Sequence, residues 1–196
     1  MNCALIGGSI IIDKLNDYQM KILDELSTWL VSNNVKVLTG ACGGFPHIVG
    51  KMCVDKGGEV IGYSPATNIN EHELVYNHPI DGCSHINYSY TKESDINARF
   101  LIRSIPLIND ADVVISIEGN WGTLFELITG VICGKKIIIW KGFGGVTDDF
   151  EKLYKKYSVE CHYNYGDSLV IINSNSMDEL LCVLKDELQK VTVLRF

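Results

Sequence analysis

Short apolar runs alternate with longer amphipathic runs along the whole chain, and this alternation restricts the possible folds more than any other feature. Cys3–Ile6, Val35–Leu38, Glu59–Tyr63, Asp112–Ile117, Lys136–Trp140 and Leu169–Ile172 read as strands. Within Asp112–Ile117, the residues Val113, Val114, Ile115 and Ile117 are β-branched and are bracketed by turn residues. Asp17–Ser32 places Met20, Leu23, Leu26 and Leu30 on one helical face. Ile48–Lys56, Ser94–Ile108, Thr123–Cys133, Asp148–Tyr157 and Ser176–Gln189 are the other expected helices. Gly57-Gly58 and Gly134 stop two of them, and Pro106 is expected to bend or shorten a third. Ala66–Ser89 is polar and lacks a period, so it reads as a long loop with room for one short strand. Such an order predicts an α/β fold: a doubly wound, mainly parallel sheet with helices on both faces.

The 196 residues suit one domain spanning 1–196, with no linker or internal repeat to divide it. Hydrophobic residues make up 46% and charged residues 21%, as expected for a globular chain rather than a disordered one. Lys and Arg number 17 against 24 Asp and Glu, a formal net charge of −7. A surface of that sign does not attract a polyanion at long range, so no nucleic-acid partner is expected. A small nucleotide held by local dipoles remains compatible. The seven cysteines are widely spaced and form no CxxC, which predicts free thiols in a reducing compartment. The start, Met1–Gly8, lacks the basic residues and apolar length of a signal peptide. No run approaches the roughly 20 apolar residues of a membrane span. The expectation is a cytoplasmic protein with no membrane partner.

Ligands of doubly wound sheets sit beyond the carboxyl ends of strands, and the residues suggestive of chemistry lie there. Thr39–Pro46 joins a strand to a helix, and Gly40, Gly43 and Gly44 let backbone approach an anion. This loop is neither GxGxxG nor a P-loop, and a tight turn without a ligand explains it as well. Glu118–Glu126 makes a second strand-to-helix junction, with Gly119, Asn120, Trp121, Gly122 and Thr123 as candidate phosphate or nucleotide contacts. Two readings of Thr123 and Glu126 stay open: a capping box, or a phosphate ligand and a catalytic carboxylate. Arg103 sits in an otherwise apolar stretch, where burial requires a partner.

These elements together resemble the Lonely Guy (LOG) family and the wider SLOG superfamily of Rossmann-like nucleotide-binding proteins, formerly labelled lysine decarboxylase-like. Gly119–Glu126 is similar to the family's Gly-Gly-x-Gly-Thr-x-x-Glu signature, and Arg103 stands at the family arginine's spacing from Ala111-Asp112. Thr39–Phe45 resembles the first phosphate loop, and Gly57–Pro65 resembles a Gly-Gly-x-x-(Val/Ile)-Gly-x-x-Pro stretch. The resemblance spans roughly residues 1–140, in the same order.

LOG enzymes hydrolyse the N-glycosidic bond of nucleoside 5′-monophosphates. The resemblance therefore implies Glu126 and Arg103 as the catalytic pair, a phosphate on Gly119, Gly122 and Thr123, no cofactor, and a homodimer or higher homo-oligomer. Glu118-Gly119-Asn120 replaces the family's Pro-Gly-Gly, and Ser104 replaces the lysine that follows the arginine in plant-type members. The changes leave a second reading: a sensor that binds a nucleotide or a nucleotide-derived signal without turnover. His72, His78 and His85 lie in the Ala66–Ser89 segment and are expected to be solvated rather than to hold a metal. Trp121 either stacks on a base, closes the loop or faces a second subunit. Cys42 is expected to be a small loop residue.

Overall fold

The computed structural model describes residues 1–8, 15–89, 95–158, 168–173 and 175–194. Their strands are β1 (Asn2–Gly7), β2 (Lys36–Thr39), β3 (Val60–Ser64), β4 (His85–Tyr88), β5 (Val113–Ile117), β6 (Lys136–Lys141) and β7 (Leu169–Asn173). The helices are α1 (Asp17–Ser32), α2 (Phe45–Asp55), α3 (Ile96–Asn109), α4 (Trp121–Ile132), α5 (Gly145–Ser158) and α6 (Met177–Leu194). Every strand pair is parallel, in the order β4-β3-β2-β1-β5-β6-β7. The doubly wound, Rossmann-like α/β fold expected from the alternation is the observed one.

Alternation along the strands feeds two apolar layers. Cys3 and Leu5 of β1, with Val113, Ile115 and Ile117 of β5, pack under α1, α2 and α6. Ala4, Ile6, Val114, Ile137 and Ile139 point the other way, toward Leu107, Ile108, Leu127 and Phe150 of α3, α4 and α5. Central strands buried on both faces take apolar side chains at nearly every position, the buried Ser116 of β5 being bonded to Thr147 at 2.7 Å, which is why they read as near-continuous apolar runs.

Helix boundaries and one connection differ from expectation. α3 runs to Asn109 through Pro106. The backbone bond that Pro106 cannot make falls on the exposed side of the helix, where Ile102 and Pro106 face water. Ser94, the expected start of this helix, and Cys161 lie outside the described residues. The 66–89 segment is not only a loop: it holds a π-helical turn, Glu71–Val75, and the parallel edge strand β4.

The chain leaves β1 for α1 on one face and leaves β5 for α4 on the other. These neighbouring strands therefore form the switch point where a crevice opens at their carboxyl ends. Both glycine loops reach the same rim of the sheet.

Candidate functional site

α4 begins two residues earlier than the pattern suggested, at Trp121, with Asn120 as N-cap. Asn120 makes no side-chain capping bond, so the first-turn amides are left for solvent or an anion. Thr123 is in the first turn rather than at the cap, and its side chain fills the space beside Gly119, whose φ of 94° suits glycine. The capping box does not form.

Glu126 instead turns toward α3. Its Oε1 accepts from Arg103 Nη1 at 3.0 Å and from the Ser104 hydroxyl at 2.8 Å. Both members of the ion pair are buried, with side-chain exposures of 10% for Arg103 and 7% for Glu126. Arg103 Nε, also buried, has no partner among the described residues. α3 and α4 present these groups to each other because Arg103, Ser104 and Leu107 share one face of α3. Replacing the family's lysine by Ser104 thus supplies a neutral donor to the carboxylate.

Gly40 brings the first loop into the same place. A β-carbon there would overlap the Arg103 guanidinium, so the close approach depends on glycine. Cys42 follows, and burial raises its thiol pKa although Arg103 pulls it back down. The α2 start is a weaker anion site than α4. Phe45 N–H donates to the Gly8 carbonyl at 3.1 Å, and the next residue, Pro46, has no N–H. Gly44 is the N-cap and Gly43 borders open space.

Beside Arg103 lies a cavity of about 550 Å³, lined by Tyr63, Ser64, Asn87, Tyr88 and Ser89 from the ends of β3 and β4. The Tyr63 hydroxyl donates to Asp110 at 2.6 Å, and burial followed by this carboxylate raises its pKa. The β4 wall is secured through the 66–89 segment. Glu71 pairs with Arg99 of α3 at 2.6 Å and also takes the Thr67 amide and hydroxyl.

The second loop is set by α5. Val146 N–H donates to the Gly119 carbonyl at 2.9 Å, and the Thr147 amide and hydroxyl donate to that of Glu118. Glu118 takes a left-handed φ of 54°, a conformation closed to proline. The departure from Pro-Gly-Gly is therefore a change of backbone path as well as of charge. The Glu118 carboxylate lies over Gly8, with Oε2 buried and unpartnered among the described residues. Asn120 and Trp121 line a separate groove of about 370 Å³ with Gly145 and Asp149. Trp121 is 84% exposed there and does not touch the cavity beside Arg103.

The structure thus brings Gly40, Arg103 and Glu126 together. Gly119 packs on Thr123 at the start of α4 and lines the second groove with Asn120 and Trp121, while Gly43 borders open space. Sequence reasoning missed Tyr63, Ser64, Asn87 and Tyr88 as lining residues: the first two fall on the variable positions of the Gly57–Pro65 stretch, and the other two sit at the end of β4 with no motif around them. It also misjudged two histidines. His72 is fully buried and His78 packs on it with ring centroids 5.5 Å apart, while His85 is exposed. Burial, then His72 and Arg103, lowers the His78 pKa to about 4. No cluster suited to a metal occurs among the described residues.

Comparisons with known proteins place this geometry. No curated protein matches the chain. Among solved structures, the structural-genomics target TM1055 is 21% identical, with a TM-score of 0.69 over 94% of this chain and 98% of its own. A molybdenum cofactor binding protein from Rippkaea orientalis is 17% identical, with a TM-score of 0.66 over 94% and 95%. DNA processing protein A from Helicobacter pylori, described by its single-stranded DNA binding mode, is 18% identical, with a TM-score of 0.65 over 95% and 81%. At these identities the likeness is one of fold.

It corrects one expectation nonetheless. Net charge was taken to exclude nucleic acid, yet a chain of this fold binds single-stranded DNA. Local amides and stacking surfaces bind a strand without a basic whole-molecule field, so the sign of the net charge does not exclude such a partner. No described helix is long and apolar enough to cross a membrane. The model of the SLOG cluster4 family matches residues 1–180, and the chain belongs to that family.

Proposed function

We propose that the chain binds a nucleoside 5′-monophosphate across the rim, with phosphate on the α4 start and ribose beside Arg103 and Glu126, and hydrolyses its N-glycosidic bond. The observation that carries this reading is the buried Arg103–Glu126 pair, whose arginine lines the 550 Å³ cavity and whose glutamate stands on α4, the helix with the uncapped start. A cavity of that size suits a mononucleotide. Leaving-group departure builds positive charge at the anomeric carbon, which the Glu126 carboxylate stabilises while orienting water. The water oxygen bonds to that carbon, and its proton leaves with the base. Arg103 holds the carboxylate in place, and the helix start fixes the phosphate.

The test is to incubate the purified protein with a panel of nucleoside 5′-monophosphates and measure free base. Glu126→Gln is expected to reduce release at least about hundredfold. Absence of both release and binding across the panel would contradict the proposal.

A second reading, a nucleotide or nucleotide-derived signal sensor, is favoured by one observation. Glu126 Oε1 is already occupied by both Arg103 and Ser104, an arrangement suited to a rigid binding wall. Binding without release would select it. We also propose a homodimer through the outer faces of α3 and α4. Leu101 and Ile105 on α3 and Ile128 and Ile132 on α4, each pair one turn apart, are all more than 40% exposed, and exposed apolar side chains of this kind mark pairing surfaces.

A further inference from the structure

Ser64 ends β3 and is almost fully buried, and His72 is fully buried on the π-helical turn. Neither belongs to the reaction described above, yet Ser64 lines the cavity beside Arg103. The two touch: Ser64 Oγ lies 2.8 Å from His72 Nδ1. The other ring nitrogen, Nε2, lies 3.4 Å from the Pro79 carbonyl oxygen.

That carbonyl only accepts, so in the neutral ring it places the proton on Nε2 and leaves Nδ1 bare. Nδ1 must then accept, and the donor available to it is the Ser64 hydroxyl. Ala66 N–H donates to the same oxygen at 3.0 Å, which occupies one of its two lone pairs. The serine has therefore given its proton to the histidine and one lone pair to the backbone. What it retains for the cavity is a single acceptor site.

We infer that the Ser64–His72 couple reads the ring of the ligand, admitting heterocycles that present an N–H or amino donor to Ser64 and rejecting those that cannot. The inference rests on the nucleotide reading above and adds the class of base to it. The Tyr88 ring, which meets His72 edge-on at 6.3 Å between centroids, supplies a flat neighbour against which such a ring lies. A ring that brings only acceptors to this point leaves the buried serine oxygen facing another acceptor, and each loses its water without compensation. His72 of the 66–89 segment acquires a role: it holds a serine in one hydrogen-bonding state.

The experiment compares purine riboside 5′-monophosphate, whose ring carries no donor, with its 2-amino, 6-amino and 6-oxo derivatives by calorimetric titration. At least one donor-bearing ring is expected to bind about tenfold tighter or more than the parent, and Ser64→Ala is expected to erase that gap. Equal affinity across the panel, or a gap that survives Ser64→Ala, would overturn the inference while leaving nucleotide binding intact. No binding by any of the four would overturn both. Imidazole ¹⁵N shifts of the unliganded wild-type protein provide a readout independent of ligand and of the variant's folding. The Nε2–H form of His72 supports the couple, and the Nδ1–H form refutes it.

Discussion

The Arg103–Glu126 contact can be tested at the level of single residues because both side chains are buried. Glu126→Ala leaves a guanidinium without its partner and is expected to cost about 3–5 kcal/mol. Glu126→Gln, which still accepts from Ser104, is expected to cost less. Urea denaturation compares the two. Gly40→Ala forces a methyl into the space of the guanidinium, with an expected loss of about 1–3 kcal/mol and weaker nucleotide binding. Restoring the family proline is expected to fail. Glu118→Pro demands a φ near −65° where the backbone holds 54°, so the free energy of unfolding should drop by about 2 kcal/mol or more. Arg103 and Glu126 were legible in the sequence as outliers, one a charge in an apolar run, the other the end of a motif. Their pairing was implied by the family resemblance alone; the residues by themselves left it open, because a capping box explained Glu126 equally well until α4 proved to start at Trp121.

Among the elements, the central strands were legible because two-sided burial makes them continuously apolar. β4 was not. It is an edge strand of four residues, alternately exposed and half-buried, and its pairing with β3 is visible only in three dimensions. The 66–89 segment also conceals a titrating group. His78 stacks on Tyr76 and meets Phe100 edge-on, and its pKa falls from 6.5 to about 4 on burial. The unfolded chain therefore takes up a proton near pH 6.5 that the folded chain refuses until about pH 4. Stability is expected to decline as pH falls through that window and to gain no slope from His78 above it. Melting temperatures recorded from pH 7 to pH 4 should show the decline, and His78→Phe should flatten it.

For the whole molecule, composition predicted a folded globular chain, but its net charge misjudged the possible partners. A net charge of −7 is an average over the surface, whereas recognition at a strand-end rim depends on a few amides and side chains. The outer face of α3 and α4 makes the assembly prediction specific. Ile105→Asp, at a position 51% exposed, should leave the fold intact and convert a dimer to a monomer in sedimentation velocity. A wild-type protein that already sediments as a monomer would refute the pairing. The central claim is that a nucleotide phosphate sits on the start of α4, next to Arg103 and Glu126. Its most direct test is a calorimetric titration of nucleoside 5′-monophosphates against the same nucleosides without phosphate. Monophosphates are expected to bind at least about tenfold more tightly, and equal affinity for the two sets would contradict the account.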